Sequence, residues 1–113
     1  MVITETTHNG WQVIALQGKF NVKHLTQVRG RLERAEQGTH RGIAIDMSGV
    51  SQVDSSAITT LVNFQRRVIQ KDGLLVLFGM HADIAEIFSI VGIDKLFRIC
   101  ATRADFEELY AGR

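Results

Sequence analysis

The chain has 113 residues, of which 45% are hydrophobic and 22% charged, with a formal net charge of +1 at pH 7. That length suits one domain, residues 1–113, around one core, and the near-neutral balance argues against a nucleic-acid binder with a strong basic face. Its single cysteine, Cys100, permits no internal disulfide and no cysteine-based metal motif, and the longest apolar run, "GLLVLFGM", is too short to cross a bilayer.

"VITETT" and "WQVIALQG", joined by the turn signal "HNG", predict an antiparallel hairpin. Asn21 then reads as a helix cap. Val22, Leu25, Val28, Leu32 and Ala35 follow at helical spacing, and Gly38 is placed to end the helix. Gly30 inside it costs on the order of 1 kcal/mol against alanine. "GIAIDM" (Gly42–Met47) predicts a strand buried on both faces, followed by an Asp46–Ser56 loop. A second helix is predicted from Ser55 to Lys71, and "LLVLFG" (Leu74–Gly79) is the next buried strand. "HADIAEIFSIVG" predicts a third helix with Ile84, Ile87, Phe88 and Val91 inward, stopped at Gly92, with Ile93 against Phe88. "LFRIC" predicts a last strand, and "TRADFEELYAG" a last helix capped by Thr102 with Asp105.

The order β-β-α-β-α-β-α-β-α needs crossover connections, hence a mixed, mostly parallel sheet of about five strands packed with four helices. The fold class is α/β. The start, "MVITETTHNG", lacks a basic segment followed by an apolar one, so no secretion signal and a cytoplasmic location are expected.

Six Lys and Arg (Lys19, Lys23, Arg29, Arg31, Arg34, Arg41) lie in the Lys19–Arg41 stretch, against Glu33 and Glu36. The simplest reading of this basic helix is a solvated face. From Gly42 to Gln65 there is no basic residue, only Asp46 and Asp54. None of the four histidines (His8, His24, His40, His81) is tied by spacing to Ser55 or Ser56, and "VDSSA" lacks the glycines of a nucleophile elbow. No catalytic residue, cofactor or metal is expected, and the protein reads as a non-enzyme.

The junction "DMSGVSQVDSSAITTL" has one glycine, Gly49, and no lysine, so it is no P-loop. Arg66 and Arg67 lie about 15 Å further along the helix at 1.5 Å per residue, so the chain is not expected to grip a phosphate-bearing ligand there. Asp54, Ser55 and Ser56 are each good helix-start residues and each suits a cap. A first-turn serine is also a position where a helix N-terminus tolerates a phosphoryl group.

From "VIALQGKFNV" through "IDMSGVSQVDSSAITTLV" to "LFGMHADIAEIFSIVGIDKLFRI", the chain resembles the STAS domain family, typified by bacterial anti-sigma factor antagonists. The resemblance spans residues 3–110. It departs from the family pattern at Asn21, where an acidic residue is usual, and at Ala57, where glycine is usual.

The resemblance implies a phosphorylatable protein-binding switch, with the second serine of "DSS", Ser56, as phosphoacceptor. The unmodified form would bind a serine kinase that is itself an anti-sigma factor, and a phosphatase would reverse the modification. The implied contact surface comprises Asn21, Asp46, Asp54, Ser55, Ser56 and Ala57. The alternative is a constitutive STAS subunit or scaffold, as in a lipid-transport ABC complex or a stressosome-like assembly, docked through the apolar stretch of helix two. A small-ligand site at the strand-end loop is a third option. Neither nucleic acid nor direct membrane insertion is implied.

Overall fold

The "HNG" hairpin forms as expected. β1 (Val2–His8) pairs antiparallel with β2 (Trp11–Phe20), and Asn9 and Gly10 both take positive φ, 49° and 83°, the backbone a two-residue hairpin turn requires. The computed structural model describes residues 1–112. Beyond the hairpin come α1 (Leu25–Gln37), β3 (Gly42–Val53), α2 (Ser55–Gln70), β4 (Leu75–Phe78), α3 (Ala82–Val91), β5 (Arg98–Cys100) and α4 (Arg103–Leu109). The sheet has five strands in the order β1-β2-β3-β4-β5, and β2 to β5 run parallel.

Alternation along the strands divides the core in two. Ile43 and Ile45 of β3 and Leu75 and Leu77 of β4 face a layer formed by Val28 and Leu32 of α1, Leu61 and Phe64 of α2, and Ile84 and Phe88 of α3. The intervening Ala44 and Val76 face the opposite side, where Trp11, Phe78 and Phe106 of α4 pack. Phe106 meets Trp11 edge-on at 5.2 Å and stacks on Phe78 at 5.1 Å. Three helices on one face and one on the other cover both sides of a sheet in which β4 is buried along its whole length and β3 from Gly42 to Ile45.

The third and fourth helices end and begin as read. Gly92 sits at φ 84°, Ile93 N–H donates to Phe88 O at 3.0 Å and Gly92 N–H to Ser89 O at 3.1 Å, the paired bonds of a Schellman stop. Thr102 Oγ1 accepts from Asp105 N–H at 3.1 Å.

Four expectations are corrected. β3 does not stop at Met47: it continues to Val53, pairing Gly49–Val53 with Gln17–Phe20 of a longer β2. The segment expected as an Asp46–Ser56 loop is therefore mostly strand. Ladder bonding to β2 overrides the low strand propensity of Asp, Ser and Gly. Asn21 does not cap α1 itself: its Oδ1 accepts from Lys23 N–H at 3.0 Å and caps a 3-10 turn, Val22–His24, that precedes the helix. Val22 and Val91 are exposed, not inward, and Ile87 is only partly covered. Finally, the apolar face of α2 is consumed by the chain's own core, which leaves only Ile69 exposed among its large aliphatic residues.

Candidate functional site

The β3 extension carries the chain to Asp54, and this carboxylate organises the start of α2. Its Oδ1 accepts from Ala57 N–H at 2.9 Å and its Oδ2 from Val22 N–H at 3.0 Å. The first bond caps α2; the second ties the same helix end to the 3-10 turn before α1. Of three residues suited to capping, Asp54 is the cap. Ser55 and Ser56 occupy the first turn instead, and neither hydroxyl is engaged in a hydrogen bond among the described residues. Their carbonyls accept from Thr59 Oγ1 and Thr60 Oγ1, each at 2.9 Å. Ser55 is exposed and Ser56 half-buried.

Asn21 and Asp54 line one shallow cavity of about 240 Å³, together with Gln52 of β3 and Asp83 and Ile87 of α3. Ser55 and Ser56 line another of about 210 Å³, whose other walls are Leu25 and Arg29 of α1 and Thr59 of α2. Thus Asn21, Asp54, Ser55 and Ser56 do gather around the start of α2.

Two expected members of this surface do not belong to it. Ala57 is fully buried in the main core; its methyl points inward because it begins the inward stripe continued by Leu61 and Phe64. Asp46 lies eight positions upstream of Asp54, roughly 26 Å back along an extended strand at ~3.3 Å per residue. It shares the parity of Ala44, on the face opposite α2. There its Oδ1 accepts from Ser48 N–H at 2.9 Å and Ser48 Oγ at 2.7 Å. His81 Nε2 lies 2.8 Å from Ser48 O, which ties this turn to the start of α3.

The expected lack of a cation at the junction is also corrected. No basic residue lies nearby in sequence, but α1 packs beside α2 and brings Arg29 into the cavity of Ser55 and Ser56. Arg29 falls four residues after the core-packed Leu25, on the flank of the inward stripe, but only the packing of α1 on α2 brings that flank to the serines. Its neighbours on the basic helix are otherwise occupied or remote: Arg31 Nε lies 3.4 Å from Glu5 Oε1 and its NH2 donates to Ile3 O.

Among the described residues no three His, Cys, Asp or Glu side chains are grouped to hold a metal ion, and no helix is long and apolar enough to cross a membrane. His40 Nε2 lies 2.8 Å from Ala35 O and His8 Nε2 3.6 Å from Glu107 Oε1, so these rings, like His81, have neighbours other than the serines. Burial, helped by Asp105, pushes the Cys100 thiol pKa up.

The family model described as the STAS domain matches residues 2–106. The anti-sigma-B factor antagonist of Staphylococcus aureus is 24% identical over 97 residues, covering 86% of this chain and 90% of that protein. An anti-sigma-factor antagonist (STAS) domain protein of Planctomyces limnophilus superposes with a TM-score of 0.82 at 22% identity, over 91% of this chain and 92% of that one. The Bacillus cell fate determinant SpoIIAA in its phosphorylated form superposes with a TM-score of 0.71 at 17% identity, over 96% and 99% of the two chains.

Proposed function

Since the chain belongs to the STAS domain family, we propose that it is a phosphorylatable, protein-binding switch of the anti-sigma factor antagonist type, with Ser56 as the modified residue. The observation that carries this reading is the division of labour at the start of α2. Asp54 supplies the cap, so the half-buried Ser56 keeps a hydroxyl with no structural task. Unmodified, the surface around Asn21, Asp54, Ser55 and Ser56 binds a serine kinase that is also an anti-sigma factor. Phosphorylation places a charge of about −1.5 to −2 on that surface and releases the partner, and a phosphatase restores it.

In the modification step Ser56 Oγ attacks the γ-phosphorus of kinase-bound ATP, the bond to ADP breaks, and the Oγ proton leaves. Asp54, the adjoining carboxylate, has both oxygens engaged by Ala57 and Val22. In this reading a base on the kinase takes that proton, and Asp54 keeps its two structural bonds. The antagonist contributes a positioned hydroxyl and no catalytic group.

The test is capture of partners from native lysate with wild-type and Ser56→Asp baits. An ATP-binding kinase retained by wild type and lost with Ser56→Asp supports the switch. The same partner held equally by both baits sinks it and favours a constitutive subunit of a transporter or scaffold. That second reading draws on α3, where Ile90 and Val91 stand exposed at 77% and 57%, and no longer on α2.

A further inference from the structure

We propose that Arg29 is a built-in counterion for the phosphoryl group on Ser56, an assignment that rests on the phosphoswitch reading above. Arg29 shares the cavity of about 210 Å³ with Ser55, Ser56 and Thr59, and among the described residues it makes neither an ion pair nor a side-chain hydrogen bond. Every other group that faces the serines is neutral or acidic. Asp54 holds the cap, Leu25 and Thr59 complete the walls, and Glu33 and Arg67 stand one cavity further along the α1–α2 groove, with Arg29 between. Arg67 is itself bonded to Glu36 at 2.7 Å, so Arg29 is the guanidinium left to answer a new anion.

A phosphoryl group on Ser56 adds three acceptor oxygens at the N-terminal end of α2. The planar guanidinium fork matches two of them at once, and the favourable end of the helix dipole adds to the attraction. Repulsion from Asp54 is then offset within the chain. Phosphorylation accordingly changes the surface twice: a neutral hydroxyl becomes an anion, and the exposed cation of α1 is drawn away from any acidic partner.

The experiment uses the full chain with phosphoserine placed at position 56 during translation, so it needs no kinase and does not depend on whether the cell modifies Ser56. The phosphate is titrated by phosphorus NMR. A free phosphoserine has a second pKa of about 6. Arg29→Ala and Arg29→Gln should each weaken the phosphate as an acid by about threefold, because a neighbouring cation favours the dianion, and Arg29→Lys should recover part of the effect. In urea all four proteins should titrate alike. In phosphorylated wild type the Arg29 Nε–H proton resonance should also move with the phosphate titration, a readout that needs no substitution. Equal pKa values in wild type and Arg29→Ala, with an unmoved Arg29 resonance, would overturn the assignment and leave the phosphoswitch to be judged by the partner-capture experiment.

Discussion

Asp54 Oδ2 accepts the backbone N–H of Val22 at 3.0 Å across a sequence separation of 32, while Oδ1 of the same carboxylate caps α2 through Ala57 N–H at 2.9 Å. One side chain thus fixes both the start of α2 and the turn that precedes α1. Asparagine can replace only half of this, since its amide offers one acceptor oxygen. Asp54→Asn is expected to keep most of the cap, and Asp54→Ala to lose about 1 kcal/mol more, the usual worth of a capping side chain. Urea midpoints of the three proteins check the order, and equal midpoints for Asn and Ala would contradict it.

The glycines on β3 and α1 predict changes of opposite sign. A Cβ at Gly49 would lie 2.9 Å from Leu16 O and 3.1 Å from Gln17 Cα. Both are backbone atoms of the paired strand, and neither can swing aside. Gly49→Ala should cost about 1–3 kcal/mol, the range for overpacking. A Cβ at Gly30 meets nothing within 4 Å, so Gly30→Ala should stabilise α1 by about 0.5–1 kcal/mol. Thermal unfolding of the two variants tests both directions; a Gly49→Ala protein as stable as wild type would refute the close-approach argument.

These two glycines also mark how far the sequence could be read. Wherever periodicity and stop signals coincide, as at Gly92 and Thr102, the elements were legible. The second half of β3 was not, because "SGVSQV" looks like a loop until β2 is seen to extend beside it. Asp54, Ser55 and Ser56 could be placed at a helix start, but not assigned separate tasks, since each is a competent cap. Asp46 was grouped with them by the family resemblance, with Asp46–Ser56 read as one loop, whereas strand alternation sends it to the other face. Arg29 escaped notice for the converse reason: it reaches the serines through helix packing, which no linear spacing records.

Cys100 offers a test of the second core. Its side chain is buried beside Phe78 and Phe106, and burial first, then the Asp105 charge, raises its pKa above the ordinary 9.0. Only the thiolate reacts with alkylating agents. Iodoacetamide at pH 8 should therefore label the native protein far more slowly than the urea-unfolded chain, read by mass spectrometry. Equal rates would mean that the α4 face opens readily.

Glu36 gives the pH dependence. Its side chain is 8% exposed, with Arg67 Nε at 2.7 Å and Lys71 Nζ at 3.2 Å. Burial alone would raise its pKa, but hydrogen bonds and charge from Arg67 and Lys71 outweigh that and leave it below the ordinary 4.5. The unfolded chain therefore binds this proton more readily than the native one. The stabilisation is complete above 4.5 and disappears as pH falls through the lower native value. Arg67 and Lys71 are 41% and 58% exposed, so solvent screening holds the contribution to about 0.5–1 kcal/mol. Glu36→Gln should be less stable than wild type by that amount at neutral pH, and the two urea midpoints should converge on acidification. A difference that stays constant from neutral pH into the acid range would show that Glu36 acts through packing rather than charge.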